Sequence, residues 1–161
     1  MSAKDQLLAQ YDLHNLLFNN VIVDISDEEA AKVLVAPMNT VKWLAGHLVW
    51  GQAGLARIAG VQLDIPWLPL YDTQSRKPVP EGLTPPTMVE VKAAWNKYAD
   101  EIRTGLASLP AEALDSPVEF PMPMFNTLEG LWAFINHHQA YTIGQVGILR
   151  RGLGKDAMKY V

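Results

Sequence analysis

The chain has no cysteine among its 161 residues. That excludes disulfides, thiolate metal sites and a cysteine nucleophile, and it fits a reducing compartment. Charge is also scarce. Asp, Glu, Lys and Arg make up 19% of the residues against 49% hydrophobic, and the net charge is −4. No basic stripe marks a nucleic-acid partner. The cluster Arg150, Arg151, Lys155 and Lys159 falls at the end of the last expected helix, where cations complement the helix dipole. The N-terminal stretch MSAKDQLLAQ lacks an apolar run and a small-residue cleavage pattern, so no secretion signal is expected and a cytoplasmic location is. Two stretches, 43–56 and 130–149, carry no Asp, Glu, Lys or Arg at all. The second is long enough to raise the question of a membrane span. Asn136, His137, His138, Gln139, Thr142 and Gln145 interrupt it, and no membrane partner is expected.

What is present is helical periodicity. Leu128, Leu131, Ile135, His138, Thr142, Gln145 and Leu149 recur at three- and four-residue steps, one stripe of a helix. Polar side chains therefore stand where leucine is normal, and they need either a neighbour that satisfies them or a task. A first helix is expected over 3–23, with Leu7, His14 and Val21 on its core face. Ser26 and Glu29 form a capping box for a short helix ending before Pro37. Asn39 or Thr40 caps a helix running to Ala59, in which His47 shares a stripe with Trp43, Leu44, Trp50 and Leu55. The next segment, 60–86, holds six of the eleven prolines. Links between antiparallel helices take roughly 2–8 residues. This longer one can carry the chain the length of a bundle, leaving its flanking helices parallel. A second capping box, Thr87 with Glu90, opens a helix to Leu109 with Val91, Trp95, Tyr98, Ile102 and Leu106 inward. A link with Pro110, Pro117, Pro121 and Pro123 follows, and its segment 117–120 is a weak candidate to pair with the other link. Asn126 with Glu129 caps the last helix, and Gly152 and Gly154 stop it. Four long helices and no convincing strand define an all-α four-helix bundle, one domain over 1–161.

Three histidines, His14, His47 and His138, lie on inward stripes of three helices. Facing helices of a bundle build metal sites, and neutral imidazole is the usual ligand for zinc, nickel and related ions. The plainer alternative is a set of packed, hydrogen-bonded core histidines. The run Asn39-Thr40-Val41-Lys42-Trp43-Leu44-Ala45-Gly46-His47-Leu48 ends in Gly-His-Leu. The run His138-Gln139-Ala140-Tyr141-Thr142-Ile143-Gly144-Gln145 follows the pattern His-x-x-x-His-x-Gly-Gln except at Thr142. With Arg150, Arg151, Leu153 and Gly154 as the close, the chain resembles, over nearly its whole length, the DinB/YfiT-like (damage-inducible) family of metalloenzymes.

The resemblance implies an up-down-down-up four-helix bundle with a long crossover between helices 2 and 3. It implies a divalent metal, zinc or nickel, on His47, His138 and a third position. Thr142 occupies that third position, so the histidine triad is degenerate, and a threonine hydroxyl is a poor ligand beside imidazole. His14 is the candidate substitute, and a weakly held or absent ion is the expectation. Roles assigned in the family include thiol S-transferases, isomerases that use a thiol cofactor, and metal-dependent hydrolases. Tyr141 and Gln145 are the further pocket candidates. The alternative is a metal-free small-molecule-binding or interaction protein that keeps the fold. A homodimer through helix 4, together with helix 2, is also expected, because Ala133, Asn136, Ala140, Gly144 and Gly147, beside Ile143, read as a small, uncharged outer face of helix 4.

Overall fold

The computed structural model describes residues 2–73, 78–119 and 126–161. Its helices are α1 (Ala3–Val21), α2 (Asp27–Ala30), α3 (Val41–Ile58), α4 (Met88–Lys97), α5 (Ala99–Ser108), α6 (Ala111–Leu114) and α7 (Leu128–Gly152), with a 3-10 turn at Leu68–Tyr71. The described residues hold no strand beyond one isolated bridge. The fold is all-α.

Caps fix where the helices begin. Ser26 accepts from the Glu29 amide at 3.1 Å while the Glu29 carboxylate accepts from the Ser26 amide at 2.9 Å. Thr87 and Glu90 repeat the arrangement for α4. Each such cap contributes about 1 kcal/mol. Thr40, not Asn39, caps α3. For α7 the cap is Thr127, which accepts from the Gly130 amide at 3.1 Å. Asn126 is engaged elsewhere, its carbonyl accepting from the Val118 amide at 2.8 Å. Among the described residues the segment near Pro117 pairs within its own link, at Thr127, and shows no bridge to the earlier link. The far end of the segment expected to pair, Phe120, lies outside the described residues, as do Pro121 and Pro123.

The expected third helix is two helices broken at Tyr98 (φ −108°, ψ −2°). Neighbours compete there for its polar groups. Gln52 of α3 donates to the Trp95 carbonyl at 3.3 Å, and the Tyr98 hydroxyl accepts from the Asp64 amide at 2.9 Å. Tyr11 of α1 donates to the Ala99 carbonyl at 2.9 Å. Buried polar side chains thus satisfy themselves on backbone groups, and helix continuity is lost at that point.

Cross-helix contacts give the direction of each element. Lys4 reaches the carbonyls of Ala107 and Leu109, Asp12 pairs with Arg103, and Asn19 with Asn96, so α1 is antiparallel to α4 and α5. Asn136 bonds Leu7 and Arg150 bonds Val21, so α1 and α7 run the same way. Gly51 faces His138 and Gly54 faces Ile135, while Gln52 meets Trp95 and Ala59 meets Gly105. Helix α3 is therefore antiparallel to α7 and parallel to α4 and α5. The core between them is aromatic and aliphatic. Phe18 stacks on Trp95 with centroids 4.1 Å apart, and Trp132, Leu48, Leu55, Ile102 and Leu106 are fully buried.

Two expectations for α7 are corrected. Asn136 and Ile143 are not on an outer face but buried against α1 and the core. Arg150 is not a surface cation at the helix end. It is 3% exposed and holds the loop after α1, donating to the carbonyls of Val21, Val23 and Asp156 and to the Asp24 carboxylate. A guanidinium is tolerated there because its donors are matched by acceptors. Beyond it, the amides of Gly154 and Lys155 close on the carbonyls of Arg151 and Arg150, with Gly154 at φ 79°, a Schellman ending.

Candidate functional site: a histidine pair between two helices

Helices α3 and α7 cross where α3 has glycines. A Cβ on Gly54 would lie 2.9 Å from Ile135, and one on Gly51 would lie 3.4 Å from the His138 ring. The missing side chains let α7 come close and bring His47 and His138 together, with Nε2 of one 3.0 Å from Nε2 of the other. The His47 ring is fixed on three sides. Trp43 and Trp50 stack on its two faces at 4.8 and 5.1 Å, and its Nδ1 lies 3.3 Å from the Tyr71 carbonyl oxygen. Tyr71 belongs to the 3-10 turn of the long link, and its own ring lies over Gly46, where a Cβ would be 2.2 Å from it.

The pair borders a cavity of about 460 Å³. Trp50, Leu131, Phe134 and Ile135 give it apolar walls, and Arg57, Asp72 and Thr73 stand among its lining. Burial disfavours the charged form of both imidazoles. It pushes His138 down to about 4, helped by the neighbouring His47 and His137. Burial lowers His47 too, opposed in part by its bond to Tyr71. Burial thus favours the neutral form of both rings.

Two neutral imidazoles facing each other raise the question of an ion between them. Zinc–nitrogen bonds of ~2.0–2.1 Å at a tetrahedral angle put two nitrogens about 3.3 Å apart. The observed 3.0 Å is near that and is also a normal N–H···N contact, so the distance alone does not decide. Ligand number does. Among the described residues no third histidine or carboxylate is placed to complete a metal site. A catalytic zinc site takes three protein ligands. The donor set does not fit one.

The remaining candidates lie elsewhere. Thr142 is buried on α7 but does not line the cavity. His14 is buried on α1 beside Gln139, which approaches closely enough to favour its charged form against the larger effect of burial. Even so, neither amide atom of Gln139 finds a partner of normal geometry among the described residues, and His14 Nδ1 also lacks one. Tyr141 is 65% exposed and Gln145 partly buried, both away from the lining. Sequence reasoning missed Arg57, Tyr71, Asp72, Thr73 and Phe134. Trp50 and Gly51 follow His47 at helical steps, and the stripe shared by His47 and Trp50 was the usable signal. Tyr71, Asp72 and Thr73 come from the irregular link, where periodicity says nothing.

The fold and site define a class: an all-α bundle with a partly buried histidine pair opening on a cavity lined by two of its helices and the long link. The chain belongs to the DinB superfamily, whose family model matches residues 10–146. A comparison with curated proteins found no match. Among the described residues no helix is long and apolar enough to cross a membrane.

Proposed function

We propose that this DinB-superfamily chain, as one domain, binds a small molecule without a metal, in the cavity that His47 and His138 border. One observation carries the reading: the two Nε2 atoms are at hydrogen-bond distance with no third ligand beside them among the described residues. The cavity's size supports it, since small-molecule sites run to ~300–1,000 Å³ with mostly apolar walls and few polar groups. A second reading is favoured by the His47–Tyr71 contact, because metal-bound histidines commonly donate their other nitrogen to a carbonyl. In it the pair holds zinc or nickel weakly with water, in a thiol S-transferase or a metal-dependent hydrolase. Metal analysis of protein purified without an affinity tag decides. The proposal expects less than one-tenth of an ion per chain after dialysis, and metal retention in Thr142→His only if that side chain reaches the pair. One stoichiometric ion in the unmodified protein overturns the metal-free reading. We also place the protein in the cytoplasm as a homodimer. Its contact is the uncharged outer face of α7, where Ala140, Tyr141, Gly144 and Ile148 are all exposed.

A further inference from the structure

The cavity's polar groups carry a direction. The Tyr71 carbonyl can only accept, so the His47 Nδ1 that contacts it bears the hydrogen. A neutral imidazole has one N–H, which leaves His47 Nε2 with a lone pair. The Nε2 of His138 lies 3.0 Å away, and a contact of that length between two nitrogens needs one hydrogen between them. That hydrogen is on His138 Nε2. The lone pair of His138 is then on Nδ1, and among the described residues the ring's one hydrogen bond runs through Nε2. Nδ1 faces Gly51, which has no side chain to cover it, and both residues line the cavity. The relay therefore ends in an acceptor that is open on the ligand's side.

The rest of the lining says what else the ligand needs. Trp50, Leu131, Phe134 and Ile135 offer apolar contact. Among the described residues the lining's charged side chains are one cation, Arg57, and one anion, Asp72, and together they favour neither sign. An acceptor left without a donor in such a place disfavours any ligand that lacks one, because desolvating it unpaired costs free energy.

We propose that the cavity selects neutral ligands with an apolar or aromatic body and one hydroxyl or N–H group, which donates to His138 Nδ1. This rests on the metal-free reading of the same site. It differs from a metal-holding arrangement at one hydrogen: there both Nε2 atoms point lone pairs at the ion, and His138 carries its hydrogen on Nδ1.

The test joins a spectroscopic and a binding measurement. Long-range ¹H–¹⁵N correlation of histidine-labelled protein at pH 8 reports which ring nitrogen is protonated. The expected result is hydrogen on Nδ1 of His47 and on Nε2 of His138. Phenol and its methyl ether anisole, titrated separately and followed by backbone shifts of α3 and α7, share the aromatic body and the oxygen, and anisole replaces the donor hydrogen with a methyl group. Phenol is expected to bind at least about tenfold more tightly. Gly51→Ala puts its Cβ at ordinary contact distance, 3.4 Å, from Nδ1, so the fold is kept while the acceptor is covered. The preference for phenol is expected to disappear in that variant. Hydrogen on His138 Nδ1 overturns the inference. Equal binding of phenol and anisole overturns the donor requirement and leaves the metal-free pocket standing. Failure of both probes to bind removes the small-molecule pocket itself, and this inference with it.

Discussion

Tyr71 acts on the site through two different atoms groups at once. Its carbonyl holds His47 Nδ1, and its buried ring fills the space left by Gly46. Gly46→Ala tests that coupling. The new Cβ would lie 2.2 Å from the ring, so Tyr71 must move. Overpacking of this kind costs about 1–3 kcal/mol, to be read as a lower urea midpoint, and displacement of the carbonyl should change the His47 side-chain ¹⁵N shifts in the same sample. The buried histidines make a second prediction. Burial lowers His14, His47 and His138, the last to about 4. Unfolded, each titrates near ~6.5. Between those values the unfolded chain binds more protons, so stability is fully present above about pH 6.5 and is lost as pH falls toward 4. Denaturant midpoints measured from pH 8 to 4 should fall across that window, and a flat profile sinks the assignment. At this scale the sequence was half legible. His47 and His138 were readable because each interrupts an apolar stripe at helical spacing. Tyr71 was not, because its role depends on where an irregular link passes over α3.

Among the elements, the caps were the most legible feature. Ser26, Thr40 and Thr87 start helices because a hydroxyl three residues before a free amide has one good use. The break at Tyr98 was hidden, since Val91, Trp95, Tyr98, Ile102 and Leu106 keep one periodic stripe across it. Periodicity reports which face is buried and not whether the backbone bonds beneath it are continuous. Only the positions of Gln52 and Tyr11, which bond the Trp95 and Ala99 carbonyls, reveal what interrupts them. Arg150 was misjudged for a related reason: sequence shows a cation near a helix end but not the carbonyls waiting for it. Arg150→Met keeps an apolar stem of similar length and removes every donor. The carbonyls of Val21, Val23 and Asp156 and the Asp24 carboxylate lose their partner together. We expect destabilisation of about 2–4 kcal/mol in equilibrium unfolding. A loss below about 0.5 kcal/mol would mean that water replaces the guanidinium without penalty.

On the scale of the whole molecule, the all-α class followed from period and loop length, and the long link between α3 and α4 joins helices that run in the same direction. The proposed homodimer belongs to this scale. The α7 surface left exposed includes Tyr141 and Ile148, 65% and 67% accessible, with no charged side chain between them. Light scattering at micromolar concentration should give twice the chain mass, and Ala140→Glu, placing a carboxylate in the contact, should return it to the chain mass. A chain mass in the unmodified protein removes the dimer.

The placement of α7 also sets an order in time. Its partners are far back in the chain: Asn136 bonds a residue 129 positions earlier, and His138 meets His47 across 91. On a ribosome, α1 and α3 emerge long before the helix that covers them, with Tyr11, Phe18, Leu48 and Leu55 still without α7 beside them. Bundles built mainly of local contacts close quickly, whereas this one must wait for distant pairings, which slows folding and prolongs the exposure of apolar surface. The nascent protein therefore keeps that apolar surface uncovered until its last helix is made. The cavity is assembled in that same final step, so an incomplete chain has no pocket to mistake for a finished one.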